Sequence, residues 1–181
     1  FFPADGKRMP VLMGKYNVPH FDAKGEANKL FTAHVPTTLV NTSFYWDNLI
    51  HFGMGPKKGP DGVLAITLPM ADKRLSGIAA EDIGKCVYGV FKGGVANVGK
   101  TYGIAGEHLT GAQMAAALTK ALGQTVRYNA VTPEQFRGFG FPGAEDMGNM
   151  FQFYAEFEDY FTGARPLDVA RRLNPELQDF A

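Results

Sequence analysis

The sequence predicts an α/β fold: the tail of a doubly wound, Rossmann-like sheet followed by a smaller α+β unit. A helical pattern, a tight turn and a short strand follow in order between residues 22 and 42, as in the second half of such a sheet. β-branched or apolar runs at 37–42, 63–68, 101–104 and 126–128 then alternate with helical patterns. The composition, 45% hydrophobic and 20% charged over 181 residues, is that of an ordinary globular domain. A chain of this length buries roughly 70% of its unfolded surface without disulfides or metal.

Residues 3–19, rich in Pro, Gly and Lys, are expected to be loop. Asp22 to Ala33 is expected as a helix with Ala23, Ala27, Leu30 and Phe31 on one face, ended by Val35-Pro36. Thr37 to Thr42 is β-branched and reads as a buried strand. Phe44 to Phe52 reads as a short aromatic helical turn, and 53–62 as a loop closing on Pro60-Asp61-Gly62. Val63 to Leu68 is a strand. Ala79 to Phe91 is helix-like, with Glu81 and Asp82 near its positive end. Thr101 to Ile104 is a short strand. Thr110 caps a helix that runs to Leu122 and stops at Gly123. Val126 to Tyr128 is a strand, and Thr132-Pro133-Glu134-Gln135 starts another helix. Ala144 to Phe161 reads as one long helix and Pro166 to Leu173 as a last one. On this reading residues 1–52 end the Rossmann-like part, and 53–181 form the smaller, intertwined part.

Lysine plus arginine and aspartate plus glutamate are 18 each. That balance argues against wrapping a nucleic-acid backbone, which needs clustered positive charge. The single cysteine, Cys86, has no partner for an internal disulfide, which suits a reducing compartment. No leader and no long apolar run are evident, so a cytoplasmic protein is expected, with the nucleus as an alternative. The chain opens on Phe1-Phe2-Pro3 and stops at Phe180-Ala181. Both ends look cut, and the phosphate-gripping part of a nucleotide site is expected upstream or missing.

Gly94-Val95-Ala96-Asn97-Val98-Gly99-Lys100-Thr101 satisfies the phosphate-loop pattern letter for letter. That loop works only between a strand and a helix whose first amides converge on phosphate. Here a helix precedes it and a strand follows, so the match is read as accidental. His20 and Lys24 lie one helical turn apart and so share a face. A lysine one turn after a catalytic tyrosine is the arrangement of short-chain dehydrogenases, where the ammonium holds ribose and depresses the phenol pKa. Histidine in the earlier place has a different reach and titration range. The plainer alternative is a solvated lysine beside a helix-entry histidine. For Tyr45-Trp46-Asp47-Asn48 it is aromatics packing a sheet end, with Asp47 and Asn48 capping a helix. Met147, Met150, Phe151, Tyr154, Phe157 and Phe161 keep helical spacing and read chiefly as core, or else as the wall of an apolar cleft or a partner surface. His34, His51 and His108 show no ligand-like spacing, so no metal is inferred. Cys86 reads as a buried, inert thiol.

The runs Pro19 to Glu26, Val35-Pro36-Thr37-Thr38 and Tyr45-Trp46-Asp47-Asn48 together resemble the NmrA-like family, relatives of the short-chain dehydrogenases. So do Gly140-Phe141-Pro142-Gly143-Ala144 and Asn149-Met150-Phe151, and the resemblance spans Tyr16 to Pro175. It implies NAD or NADP binding, commonly with a redox-sensing or regulatory role and little or no turnover. A reductase of quinones or similar small carbonyl compounds is the alternative, and a plain interaction domain a third. By position it implies that Lys24 meets the ribose or nicotinamide end of the cofactor. Tyr45, Trp46, Asp47 and Asn48 are implied to line that end, with His20 where catalytic relatives keep tyrosine. The family's glycine-rich loop is absent from this sequence, so the stretch alone is expected to bind the dinucleotide weakly. A regulatory protein partner and a homodimer, invited by the uncovered sheet edge, are further expectations.

Overall fold

A computed structural model describes residues 2–181. Eight helices and eight strands are formed by the described residues. In chain order the first half comprises α1 (Pro19–His34), β1 (Leu39–Asn41), β2 (Phe44–Tyr45), α2 (Asn48–His51), β3 (Lys57–Lys58), β4 (Leu64–Leu68), β5 (Arg74–Ile78) and α3 (Ala80–Lys92). A 3₁₀ turn at Gly94–Asn97 leads to β6 (Thr101–Gly103), β7 (Glu107–Thr110), α4 (Gly111–Leu122) and β8 (Val126–Ala130). The chain closes through α5 (Pro133–Arg137), α6 (Ala144–Glu156), α7 (Glu158–Gly163) and α8 (Leu167–Leu173).

β1 and β6 pair in parallel, the piece that matches a doubly wound sheet. β5 sits between β2, parallel, and β7, antiparallel. β4 sits between β3, antiparallel, and β8, parallel. Strands on either side of residue 52 therefore pair with one another, and the two halves interleave.

The helix starts follow from local chemistry. Thr110 and Thr132 each form a capping box, with Gln113 and Gln135 answering three residues on. That reciprocal pair satisfies two otherwise orphaned amides. Gly123 takes the left-handed conformation at φ +65° and ends α4. The long helix expected from Ala144 to Phe161 is instead two, because Phe157 leaves helical geometry (φ −116°, ψ 36°) and re-aims the chain between α6 and α7. β5 and β7 were not expected. Ser76 and Gly77 have weak strand preference, and burial against neighbours decides their state.

The main core gathers Phe44, Trp46, Ile66, Leu68, Leu75, Met114 and Phe151 between the sheets, α4 and α6. A smaller cluster of Ile78, Cys86, Ile104 and Ala170 lies under α3 and α8. Asp82 is fully buried at the inner face of α3, where it accepts from Asn174 Nδ2 and Gln178 N and ties down the C-terminal segment. The face of α1 expected to pack does not: no residue of α1 is buried, and Leu30 and Phe31 are 65% and 60% exposed. The described residues supply no layer against it. The phosphate-loop pattern falls on the 3₁₀ turn between α3 and β6, helix before and strand after.

Candidate functional site

The three-stranded sheet β3–β4–β8 has two chemically distinct faces. Side chains alternate along a strand, so registered residues share a side. Leu64, Ile66 and Leu68 register with Val126, Tyr128 and Ala130. The Tyr128 ring lies where a Cβ on Gly111 of α4 would stand, so this face closes onto the core. The opposite face carries Ala65 and Thr67, Arg127 and Asn129, and Lys57 in register with Ala65. That face is the floor of a cleft of about 770 Å³.

The segment after α2, with Phe52 and Met54, forms one wall of the cleft. The other is formed by Phe136 of α5, by Phe139 and Phe141 of the α5–α6 connection, and by Met147 of α6. Phe136 holds both neighbours edge-on or tilted, at ring separations of 5.4 Å and 5.6 Å. Gly140 and Gly143, at φ +71° and +87°, make the bends that turn Phe139 and Phe141 outward. Polar groups are few: Asn48 at the head of α2, Thr67 and Asn129 on the floor, and Lys57. Asn129 Nδ2 donates to Thr67 Oγ1 at 3.2 Å. A mostly apolar concavity with a few convergent polar groups is the usual form of a small-molecule site. A shallower groove of about 500 Å³ shares Phe141 and runs past Pro19, Arg137 and Asp146.

The six residues expected at the cofactor end do not converge. Asn48 lines the cleft. Trp46, expected at a pocket wall, packs in the core instead, at 7% exposure. Phe44 and Phe180 lie against its ring, and Gly77 leaves the space that the ring fills. Asp47 Oδ2 accepts from Ala80 N, the first amide of α3, at 2.7 Å. Tyr45 is exposed on β2, its hydroxyl 3.4 Å from Thr42 Oγ1. His20 Nδ1 lies 2.8 Å from both carboxylate oxygens of Asp146, which joins the start of α1 to the first turn of α6. Lys24, one turn further along α1, is exposed outside the cleft walls and makes no ion pair or hydrogen bond among the described residues.

Sequence reasoning missed Lys57, because the 53–62 stretch read as loop. The signal was present only as two lysines before an apolar strand. Met147, one end of the aromatic and methionine stripe, does line the cleft, whereas Met150, Phe151, Tyr154 and Phe161 are core.

A second polar network braces the first residues. Arg137 donates to Asn149 Oδ1 and Gln152 Oε1, and those amides donate in turn to the carbonyls of Pro10, Asn17 and Arg8. Ser76, fully buried, is 2.8 Å from His108 Nδ1, and burial holds that imidazole below its ordinary range. Ser76 is sealed inside the sheet, so this pair is structural. No group of three or more His, Cys, Asp or Glu among the described residues is placed to hold a metal ion. No described helix is long and apolar enough to cross a membrane.

Residues 2–179 match the NmrA-like family. The chain belongs to that family. It is 32% identical over 111 residues to an NAD(P)H azoreductase from Xenophilus azovorans, a match covering 58% of this chain and 37% of that protein. It superposes on a crystal structure of NmrA, a negative transcriptional regulator, in complex with NADP, with a TM-score of 0.67 and 23% identity. That match covers 95% of this chain and 57% of the regulator. It also superposes on an NADPH-dependent quinone oxidoreductase from Escherichia coli, with a TM-score of 0.66 and 18% identity, covering 98% of this chain and 62% of that one. The chain thus spans between 37% and 62% of the length of these relatives.

Of the residues expected at the ribose and nicotinamide end, Asn48 lines the cleft and Lys24 is exposed outside its walls. The pyrophosphate end finds no cradle among the described residues. Gly143 leads into α6, but Glu145 and Asp146 in its first turn would repel phosphate.

Proposed function

We propose that this chain is the ligand-binding part of an NAD(P)-binding NmrA-like protein with a redox-sensing or regulatory role and little or no turnover. The observation that carries the reading is His20. By the family resemblance it takes the place where catalytic relatives keep tyrosine, and its Nδ1 is held by Asp146. With Nδ1 on the carboxylate only Nε2 is left to meet a ligand, and an imidazole differs from a phenol in reach and titration range. The same contact ties α1 to α6, so a dinucleotide lying along α1 would act on the cleft beside α6. Such a ligand shifts the balance of conformations only by as much as it prefers one of them. On this reading Lys24 contacts the nicotinamide riboside, Asn48 faces it from the cleft side, and Tyr45 stands at its edge. The partners are a dinucleotide and a protein that reads the altered surface, a homodimer is a further state to test, and the site of action is the cytoplasm.

The cleft favours a second reading, an NAD(P)H-dependent reductase of quinones or similar carbonyl compounds. Hydride transfer needs chiefly orientation, which an aromatic cleft beside a nicotinamide supplies. The azoreductase and quinone oxidoreductase relatives support this alternative.

Titration calorimetry of NADPH and NADH, with and without Lys24→Ala, tests the first reading on this chain and on any longer natural form. Binding weakened several-fold by the substitution, with no cofactor oxidation in the presence of a quinone panel, is the expected result. Unchanged affinity removes Lys24 from the site, and steady oxidation favours the reductase.

A further inference from the structure

We propose that the cleft over the β3–β4–β8 sheet binds planar aromatic acids, that is, fused or linked rings bearing a carboxylate or sulfonate. The inference rests on the reading of this cleft as the small-molecule site of a dinucleotide protein, and it names the ligand class. Lys57 is the one charged side chain in the lining, and no carboxylate lines the cleft. Lys57 makes no ion pair among the described residues. Its neighbour across the same sheet face, Arg127, is already engaged, with its guanidinium 2.8 Å from Asp61 Oδ2. The sheet face thus presents one uncommitted ammonium at the edge of an apolar, phenylalanine-lined volume.

Phe136, Phe139 and Phe141 offer ring faces and edges that suit a flat aromatic body. About 770 Å³ is room for two or three rings. An anionic substituent reaching Lys57 gains a charge-assisted hydrogen bond, which is stronger than a neutral one. Thr67 and Asn129 add neutral polar groups on the same floor. A cationic aromatic meets an uncompensated ammonium instead, and this repulsion is what makes the cleft selective. The ring faces also attract cations, but Lys57 supplies the only full charge.

The test is titration calorimetry of naphthalenesulfonate, its neutral isostere naphthalenesulfonamide, and naphthyltrimethylammonium into the unmodified chain at low salt. Lys57 is exposed, which limits the gain, so the sulfonate is expected to bind about fivefold tighter than the sulfonamide, with the cation weakest. The preference should shrink as salt is raised. Lys57→Met abolishes the preference while leaving the sulfonamide affinity within about twofold, and Lys57→Arg keeps it. Phe141→Ala weakens sulfonate and sulfonamide alike. Equal affinity of the native chain for sulfonate and sulfonamide, a preference that survives Lys57→Met, or failure of all three probes to bind overturns the proposal. NADPH titrated into the same preparation reports on the dinucleotide separately. Its failure with the sulfonate preference intact counts against the proposed function alone.

Discussion

Replacing Trp46 separates a pocket wall from a core position more cleanly than any other change. Its side chain fills the space above Gly77, contacts Phe44 at 6.1 Å and Phe180 at 4.9 Å between ring centres, and is 7% exposed. Truncating a buried tryptophan to alanine costs about 3–5 kcal/mol, from lost transfer energy plus the cavity left behind. A domain of this size loses about 2–4 °C of melting temperature per kcal/mol, so Trp46→Ala should melt about 6–20 °C lower. Trp46→Phe should cost much less than half of that. The indole Nε1 is buried without a partner among the described residues, so phenylalanine removes an unsatisfied donor worth roughly 1–3 kcal/mol along with the lost volume. Thermal unfolding followed by far-UV circular dichroism reads both variants. Because Trp46 is the sole tryptophan, the native chain should also show blue-shifted emission that moves red on unfolding. A Trp46→Ala variant melting within about 2 °C of the native chain refutes the core placement and returns the ring to the cleft wall.

Two further predictions concern titratable groups. Burial is the largest cause holding His108 below its usual 6.5, with Arg74 and Arg165 adding to it and a backbone hydrogen bond at Arg165 opposing it. The unfolded chain therefore takes up the proton first, so stability is full above about 6.5 and falls as pH drops toward the folded-state value, by at most about 1.4 kcal/mol per unit. Denaturation midpoints of the native chain should decline through that window and those of His108→Gln should decline less; parallel profiles remove His108 as the cause. Burial first, and then the Asp82 carboxylate, push the Cys86 thiol up to about 11. Since the thiolate is the nucleophile, an aromatic disulfide reagent should leave the native chain unmodified and label one thiol in denaturant. Rapid labelling of the native chain contradicts that burial.

Much of the local structure could be read from short-range chemistry. The Thr110 and Thr132 capping boxes and the Gly123 stop are each decided within a few residues of chain. The accidental phosphate-loop match could be dismissed on element order alone, since amides converge only where a helix begins. The family resemblance rested on runs spread from Tyr16 to Pro175, and the match over 2–179 agrees with it.

Tertiary structure decided the rest, because burial and register are properties of partners distant in sequence. β5 and β7 exist through pairing across some thirty residues, with Ser76 beside His108 and Gly77 beside Glu107. Whether the 45–48 turn faces a ligand or the core depended on the empty space at Gly77 and on Phe180, near the far end of the chain. The cleft itself needs Lys57, Thr67, Asn129 and Phe141 on four separate stretches. No local rule joins them, because only the sheet register and the bend between α5 and α6 bring an ammonium and those aromatic rings to one volume.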